Sequence, residues 1–489
     1  MKLTCKILSG VLIPALTLPC LSLSARATES ADSASPILTC TPADDWTALF
    51  DRAGTREGWL AADGIYSVAL DGNDALSSAS SSTKTLFFFS DTILGTASST
   101  GRISRSNGMA NHSAALLEGN LPDASGIQFY YGAKANMALS GDLNLFSQSQ
   151  WLFDCFAQDG ALYAIAFSQQ NWKPSQIDLI KIPLAEDGTP QFNKYKRTRN
   201  VTALLKKLEN FDYAYGMGVL CNTESAGAPD PDGYIYLYGY RDNFAAFSQK
   251  DLIVSRIHED DFPDFDKLRY WNGSDWVEDI EASALILERV SCEVSVTPIT
   301  VGPYKGKYIA VYTQDVQSDR IMYAIGDSPA GPFDTPVQCY TVPETGDTAA
   351  GGSGTLYTYN AKAHPHISPA GTLLISYNVN VNGVSMAQNT ADYRPRFLSM
   401  DLGATEEEIA ALQASAESAD STNTPTDPPS DPDGDGTDQP PVSEPSADPA
   451  NTDGTEPPSS LLPVWIGAGA LLAAVGVTVG ILIGKRRRK

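Results

Sequence analysis

A chain of 489 residues, 42% of them apolar, with a formal net charge of −24, can bury a sizeable core and lacks the positive surface that nucleic acid or an anionic polymer requires. Neutral partners fit that balance better. Seven cysteines at irregular spacing, with no C-x-x-C, argue against a disulfide framework and against structural zinc.

In chain order, residues 1–27 read as a secretory signal peptide. Lys2 and Lys6 open it, residues 7–23 are apolar, and Ala25-Arg26-Ala27 supplies an A-x-A cleavage site. The folded domain is expected over 36–415. Within it a two-part phrase recurs five times: a segment with a polar residue near its start, a Gly-containing turn, then an aromatic and β-branched run. The runs are LFFFSDT (86–92), LYAIAFS (162–168), YIYLYGYRD (234–242), YIAVYTQD (308–315) and LLISYNVN (373–380). A spacing of roughly 65 to 75 residues fits a four-stranded propeller blade with long loops. Runs rich in Tyr, Phe, Val and Ile suit strands packed on both faces. Sheets that cannot bury both faces alone must stack on neighbours, and radial closure does so with little exposed edge. The sequence therefore predicts an all-β, five-bladed β-propeller.

Residues 416–460 are rich in Pro, Asp, Ser and Thr and nearly free of aromatics, which predicts a disordered spacer. Within it, DPDGDGTD (431–438) opens like a calcium loop, but Val442 stands at the twelfth position where Glu belongs. A solvated linker is the expectation there. Residues 461–484 form an uncharged apolar stretch long enough for one transmembrane helix, and KRRRK (485–489) makes a basic cytoplasmic tail. The expected product is a monomeric, single-pass membrane protein with its propeller outside the cell. Of the cysteines beyond the signal, Cys155, Cys221 and Cys292 fall in first halves of repeats, where buried thiols would pack around the axis. Cys40 and Cys339 are a possible bridge.

Each repeat should form a hairpin, and antiparallel pairing puts the start of its first strand beside the end of its second. Polar residues at those places then gather at one mouth of the central channel. The set includes Asp63, Asp91, Asp154, Tyr215, Asp242, Glu293, Asp315, His364, His366, Asn378 and Asn380, with Asn111 and His112 following the first repeat. Carboxylates at one mouth suit glycoside hydrolysis, which needs one carboxyl protonated and a second ionised. Crowding and partial desolvation separate their pKa values in that sense. A structural ion pair would explain Glu293 or Asp154 as well. His364 and His366 share one face at strand period, but without an evident third ligand they predict hydrogen bonding and no metal.

The stretches GWLAADGIYSVAL and KTLFFFSDTILG within 58–95, and NHSAAL (111–116), resemble the opening of the secreted propeller family catalogued as domain of unknown function 4185, which includes endo-D-arabinanases. DSPAGPF (327–333), YNAKAHPHIS (359–368), SYNVN (376–380) and YRPRF (393–397) extend the resemblance over most of 46–402. More broadly the chain is similar to five-bladed arabinanase, xylosidase and fructosidase propellers. The resemblance implies a glycoside hydrolase acting, without a cofactor, on a neutral, furanose-containing polysaccharide of arabinan type. It implies Asp63 and Asp91 as the catalytic pair, with Glu293 at the acid position of the wider group. It also implies sugar contact at His112, where a surface-loop role is the plainer reading. Asn111, Asp154, Tyr215, His364, His366 and Asn378 complete the candidates for substrate binding. The chain departs from the family where SSASSSTK (77–84) lengthens the first turn, an insertion that a hairpin absorbs at its far end. The alternative function is a non-catalytic lectin or adhesin using the same funnel. A sialidase-like activity is disfavoured by the acidic composition and by the lack of S-x-D-x-G-x-x-W boxes and an arginine triad.

Overall fold

The computed structural model describes residues 36–132, 145–146, 150–171, 173–244 and 249–422. The expected signal peptide, the apolar segment 461–484, the basic tail and the spacer beyond residue 422 lie outside the described residues. Among the described residues no helix is long and apolar enough to cross a membrane.

The fold is all-β and propeller-like, with few helices. Five antiparallel sheets follow one another along the chain. The five repeated runs each lie in the second long strand of a sheet. The hairpins are Gly58–Ala69 with Lys84–Ala97, Trp151–Gln158 with Ala161–Gln170, Phe211–Asn222 with Tyr234–Asn243, Val294–Pro298 with Tyr308–Thr313, and Thr355–Ala363 with Thr372–Asn382. The chain's first strand, Cys40–Pro42, pairs with Pro395–Asp401 at the outer edge of the fifth sheet, so the two ends of the domain are stitched together.

The first strands of the five hairpins form a ring. Sheet one meets sheet two where the Ser90 hydroxyl donates to the Leu152 carbonyl at 3.2 Å. Sheet two meets three where the Val219 N–H donates to Asp154 at 2.7 Å. Sheets three and four approach at Gly218, where a Cβ would stand 2.3 Å from the Val294 carbonyl oxygen, so only glycine fits. The Asn360 amide donates to Glu293 at 2.7 Å between five and four. The Asn378 amide donates to the Gly64 carbonyl at 3.2 Å between five and one. Apolar faces fill the wedges between sheets. Phe50, Trp59, Phe87, Phe89 and Phe397 form one such core, with the Phe50 ring edge-on to Phe87 at 5.5 Å and stacked on Phe397 at 5.8 Å.

The lengthened turn of sheet one does more than absorb extra residues. Residues 71–83 cross the ring at the end away from Asp63. The Asp74 N–H donates to the Ala226 carbonyl of sheet three at 3.1 Å, and the Ser77 and Ala79 N–H groups donate to the Pro365 and His366 carbonyls of sheet five at 2.9 and 3.0 Å. Leu76 is buried with Ile299, Val301 and Ile309 of sheet four, and Gly72 lies against Ala157 of sheet two. A loop held by all four other sheets stoppers the channel at its far end. Leu76→Ala is expected to cost about 2–5 kcal/mol of stability, measured as a lower midpoint in urea unfolding.

The C-terminal helix Glu406–Thr422 docks on this same far end. Glu408 accepts from the Gly302 N–H at 3.1 Å and pairs with Lys305 at 3.7 Å, and Ile409 packs over Gly371. Its first turn is Glu406, Glu407 and Glu408, negative charge at the positive end of the helix dipole. The helix corrects the expected boundary at residue 415: residues 416–422 of the predicted spacer are helical. Cys40 and Cys339 lie against each other as free thiols, and Cys155, Cys221 and Cys292 are also free.

Candidate active site

Interruptions in strand register aim the site. On sheet one Ala62 pairs with Thr92 and Gly64 with Phe89, so Asp63 stands opposite two residues, Ser90 and Asp91. The next pair is Tyr66 with Phe88, which leaves Ile65 unpaired. Gly64 has φ 82° and Ile65 has φ 75°. For a β-branched residue this left-handed backbone costs about 1–3 kcal/mol. The strain is held locally, because the Gly64 carbonyl accepts from both the Lys362 ammonium at 3.3 Å and the Asn378 amide. On sheet two Phe153 and Asp154 face the single residue Ile165, and on sheet five Asn360 and Ala361 face Tyr377. Bulges of this kind re-aim side chains, and here they bring residues distant in sequence to one end of the ring.

Asp63 and Asp91 are thereby brought together. Asp63 Oδ2 accepts from the Tyr359 hydroxyl at 2.7 Å, while its Oδ1 is enclosed and has no hydrogen-bond partner. Asp91 Oδ1 accepts from Trp151 Nε1 at 2.8 Å and from Asn111 Nδ2 at 3.1 Å. Asp154 accepts from the Cys155 and Val219 N–H groups. All three aspartates keep some solvent access although protein crowds them closely.

Their electrostatics differ. Burial lifts Asp63 above the usual carboxylate range, opposed by the Tyr359 and Tyr393 hydroxyls, the Asp91 N–H and the Lys362 charge. Burial pushes Asp91 up to about 7, the neighbouring Asp63 charge adds to this, and Trp151 and Asn111 oppose it. Burial also lifts Asp154 to about 7, against its two backbone hydrogen bonds. Glu293 joins the ring but is buried in an ion pair with Lys362, with Asn360 on its other oxygen.

Five predicted substrate-binding residues are interior, and the structure corrects their assignment. The Phe146 N–H donates to His112 Nε2 at 2.9 Å, so Nδ1 carries the ring hydrogen and donates to the Gln150 carbonyl at 2.8 Å. Burial lowers this imidazole to about 4, and it has no nitrogen left for sugar. Tyr215 is fully buried, its hydroxyl 2.5 Å from that of Ser283. His364 sits between the Ser67 and Ser376 hydroxyls at 2.7 and 2.8 Å, and burial holds it neutral. His366 bonds Thr85 and ties Asp74 of the plugging loop at 2.8 Å. Asn378 is fully buried and braces Gly64. Asn111 and Asp154 alone among the binding candidates keep some solvent access. Sequence reasoning missed Tyr359, Tyr393 and Lys362 as individuals, although all three lie in the quoted motifs 359–368 and 393–397.

Among the described residues no three His, Cys, Asp or Glu side chains converge on a metal position. A cavity of about 570 Å³ opens at the far end, lined by Trp46, Ser77, His366, Pro369 and Leu412 among others. It contains neither Asp63 nor Asp91, so the paired carboxylates, and not this hollow, mark the candidate chemistry.

A family model described as domain of unknown function DUF5005 matches residues 44–402, where the motifs resembled domain of unknown function 4185. No curated protein matches the chain. Among solved structures, a Bacteroides ovatus protein described only as a candidate hydrolase is 16% identical, covers 80% of this chain and 97% of its own, and superposes with a TM-score of 0.54, which marks a shared fold. A GH43_1 enzyme of Xanthomonas citri is 16% identical over 73% of this chain and 92% of its own, with a TM-score of 0.33. An α-L-arabinofuranosidase of Podospora anserina is 12% identical over 72% and 99%, with a TM-score of 0.35.

Proposed function

The chain belongs to the DUF5005 family, and on that premise we propose that it is a cell-surface glycoside hydrolase whose catalytic pair is Asp63 and Asp91. The five sheets are read as five blades and their carboxylate end as the substrate funnel. The observation that carries this reading is the bulge setting Asp63 opposite Ser90 and Asp91, because it joins two carboxyls of unlike surroundings at one open end. Asp63 is the base or nucleophile. Two tyrosine hydroxyls, a backbone N–H and the Lys362 charge favour its anion, and one of its oxygens, Oδ1, is committed to no hydrogen bond. Asp91 is the acid. A pKa of about 7 keeps much of it protonated at neutral pH, and its unbonded oxygen can deliver that proton to the leaving oxygen. Glu293, committed to Lys362, does not serve as the acid.

The substrate class is a neutral, furanose-containing glycan of arabinan type, in keeping with the acidic chain and the motifs. Residues 461–484 would hold the domain, as a monomer, on the outer face of a membrane. The test is to incubate purified full-length protein with arabinans, fructans and galactans. Released sugar from arabinan is the expected result, while binding without release would assign the funnel to a lectin. The pH profile of kcat/KM should be a bell. It falls as pH rises through about 7, where Asp91 loses its proton, and falls on the acid side as Asp63 gains one. Activity that stays level from pH 6 to 8, about one unit either side of that value, would remove Asp91 as the acid.

A further inference from the structure

Lys362 is almost wholly enclosed, with 4% of its side chain exposed. Its ammonium bonds Glu293, donates to the Gly64 carbonyl and sits over the Tyr66 ring, 3.4 Å from the centroid. Asp63, Asp154 and Cys155 face it as well, and so does the neutral ring of His364. A buried lysine needs a carboxylate to offset its desolvation, and Glu293 alone would meet that need. The additional bond to Gly64 is therefore informative. Gly64 belongs to the left-handed pair Gly64-Ile65 that follows Asp63, and Lys362 itself follows the bulge of sheet five. One irregular strand thus grips another on the neighbouring sheet.

We propose that Lys362 is the positioning residue of this site: its ammonium grips the Gly64 carbonyl, fixing the bulge that presents Asp63, and places a positive charge within the ring that favours the Asp63 anion. Asn378 shares the grip on Gly64 but brings no charge, so the two contributions are separable. The activity part of this proposal rests on the hydrolase reading; the electrostatic part does not.

The experiment uses the full-length protein carrying Lys362→Met with Glu293→Gln, which removes both members of the ion pair and strands neither charge. The Asp63 carboxyl is followed by NMR of side-chain-labelled aspartate, with its signal identified by Asp63→Asn. Its titration midpoint should rise by about one unit, a tenfold change in proton affinity. On a glycan that the wild type cleaves, kcat should fall about 100-fold with KM little changed, and the acid limb of the pH profile should move up with the midpoint. Lys362→Arg, which keeps the charge, should restore the position of that limb. Lys362→Arg with Glu293→Gln keeps a cation that does not deprotonate and removes its carboxylate, so it must move the Asp63 midpoint down, which gives a second measurement should the first double variant not fold. A merely structural pair predicts neither shift: an unmoved midpoint in either double variant overturns the proposal. If the wild type cleaves no glycan, the hydrolase reading fails and the titration still decides the role of Lys362.

Discussion

Asp63→Asn and Asp91→Asn are each expected to lower glycan turnover by about 10²–10⁴-fold while leaving the fold intact, the range associated with loss of a positioned acid or base. Both side chains keep some solvent access, and asparagine keeps their shape. Tyr359 can still donate to residue 63, and Trp151 and Asn111 can still donate to residue 91. Unchanged thermal melting with lost sugar release would separate chemistry from folding. The two variants should also differ in what remains. The Asp63 charge is one of the causes lifting Asp91, so residual activity in Asp63→Asn should lose its alkaline limb at lower pH than the wild type. Hydrolysis at wild-type rates by both variants would remove these residues from the mechanism.

Glu293→Ala should act mainly on stability, costing about 3–5 kcal/mol, because it leaves the buried Lys362 ammonium without its carboxylate. Glu293 and Lys362 expose only 7% and 4% of their side chains, so water cannot take the place of the lost partner. Urea unfolding of Glu293→Ala, Lys362→Met and the corresponding double variant measures the coupling. The double variant should recover most of the loss, since replacing both charges of a buried pair is far less damaging than stranding one. A Glu293→Ala protein as stable as the wild type would mean that the pair is not buried in solution.

The hairpins were legible because their signals are local. Tyr-, Val- and Ile-rich runs between Gly-containing turns specify strands wherever they pack, and all five became the second long strand of a sheet. The convergence of Asp63 and Asp91 also followed from antiparallel pairing. What carried no local signal was register. Ile65 has strong strand propensity and nothing beside it announces a left-handed backbone; the distant Lys362 and Asn378 hold it there. Residue type misled in a similar way at His112, His364 and Tyr215, which chemistry nominates for sugar contact and burial commits to the core. The sequence did contain one readable hint for Lys362. It and Glu293 are opposite charges in first-strand segments of consecutive repeats, and two charges in a tightly packed ring are tolerable together and costly alone. The insertion at 77–84 looks like a passive lengthening in the sequence because its partners, Ala226, Pro365 and His366, lie far away in the chain.

The docking of helix Glu406–Thr422 beneath the stoppered end fixes the direction in which the polypeptide departs. Any attachment beyond Thr422 pulls on the side of the domain turned away from Asp63 and Asp91, so a surface-bound molecule presents its opening to the surroundings and its blocked base to whatever holds it. Under the proposed anchorage, large polymers would approach without competing with it for space. On the hydrolase reading they could not thread through, and cleaved fragments would retreat by the same doorway through which the polymer came.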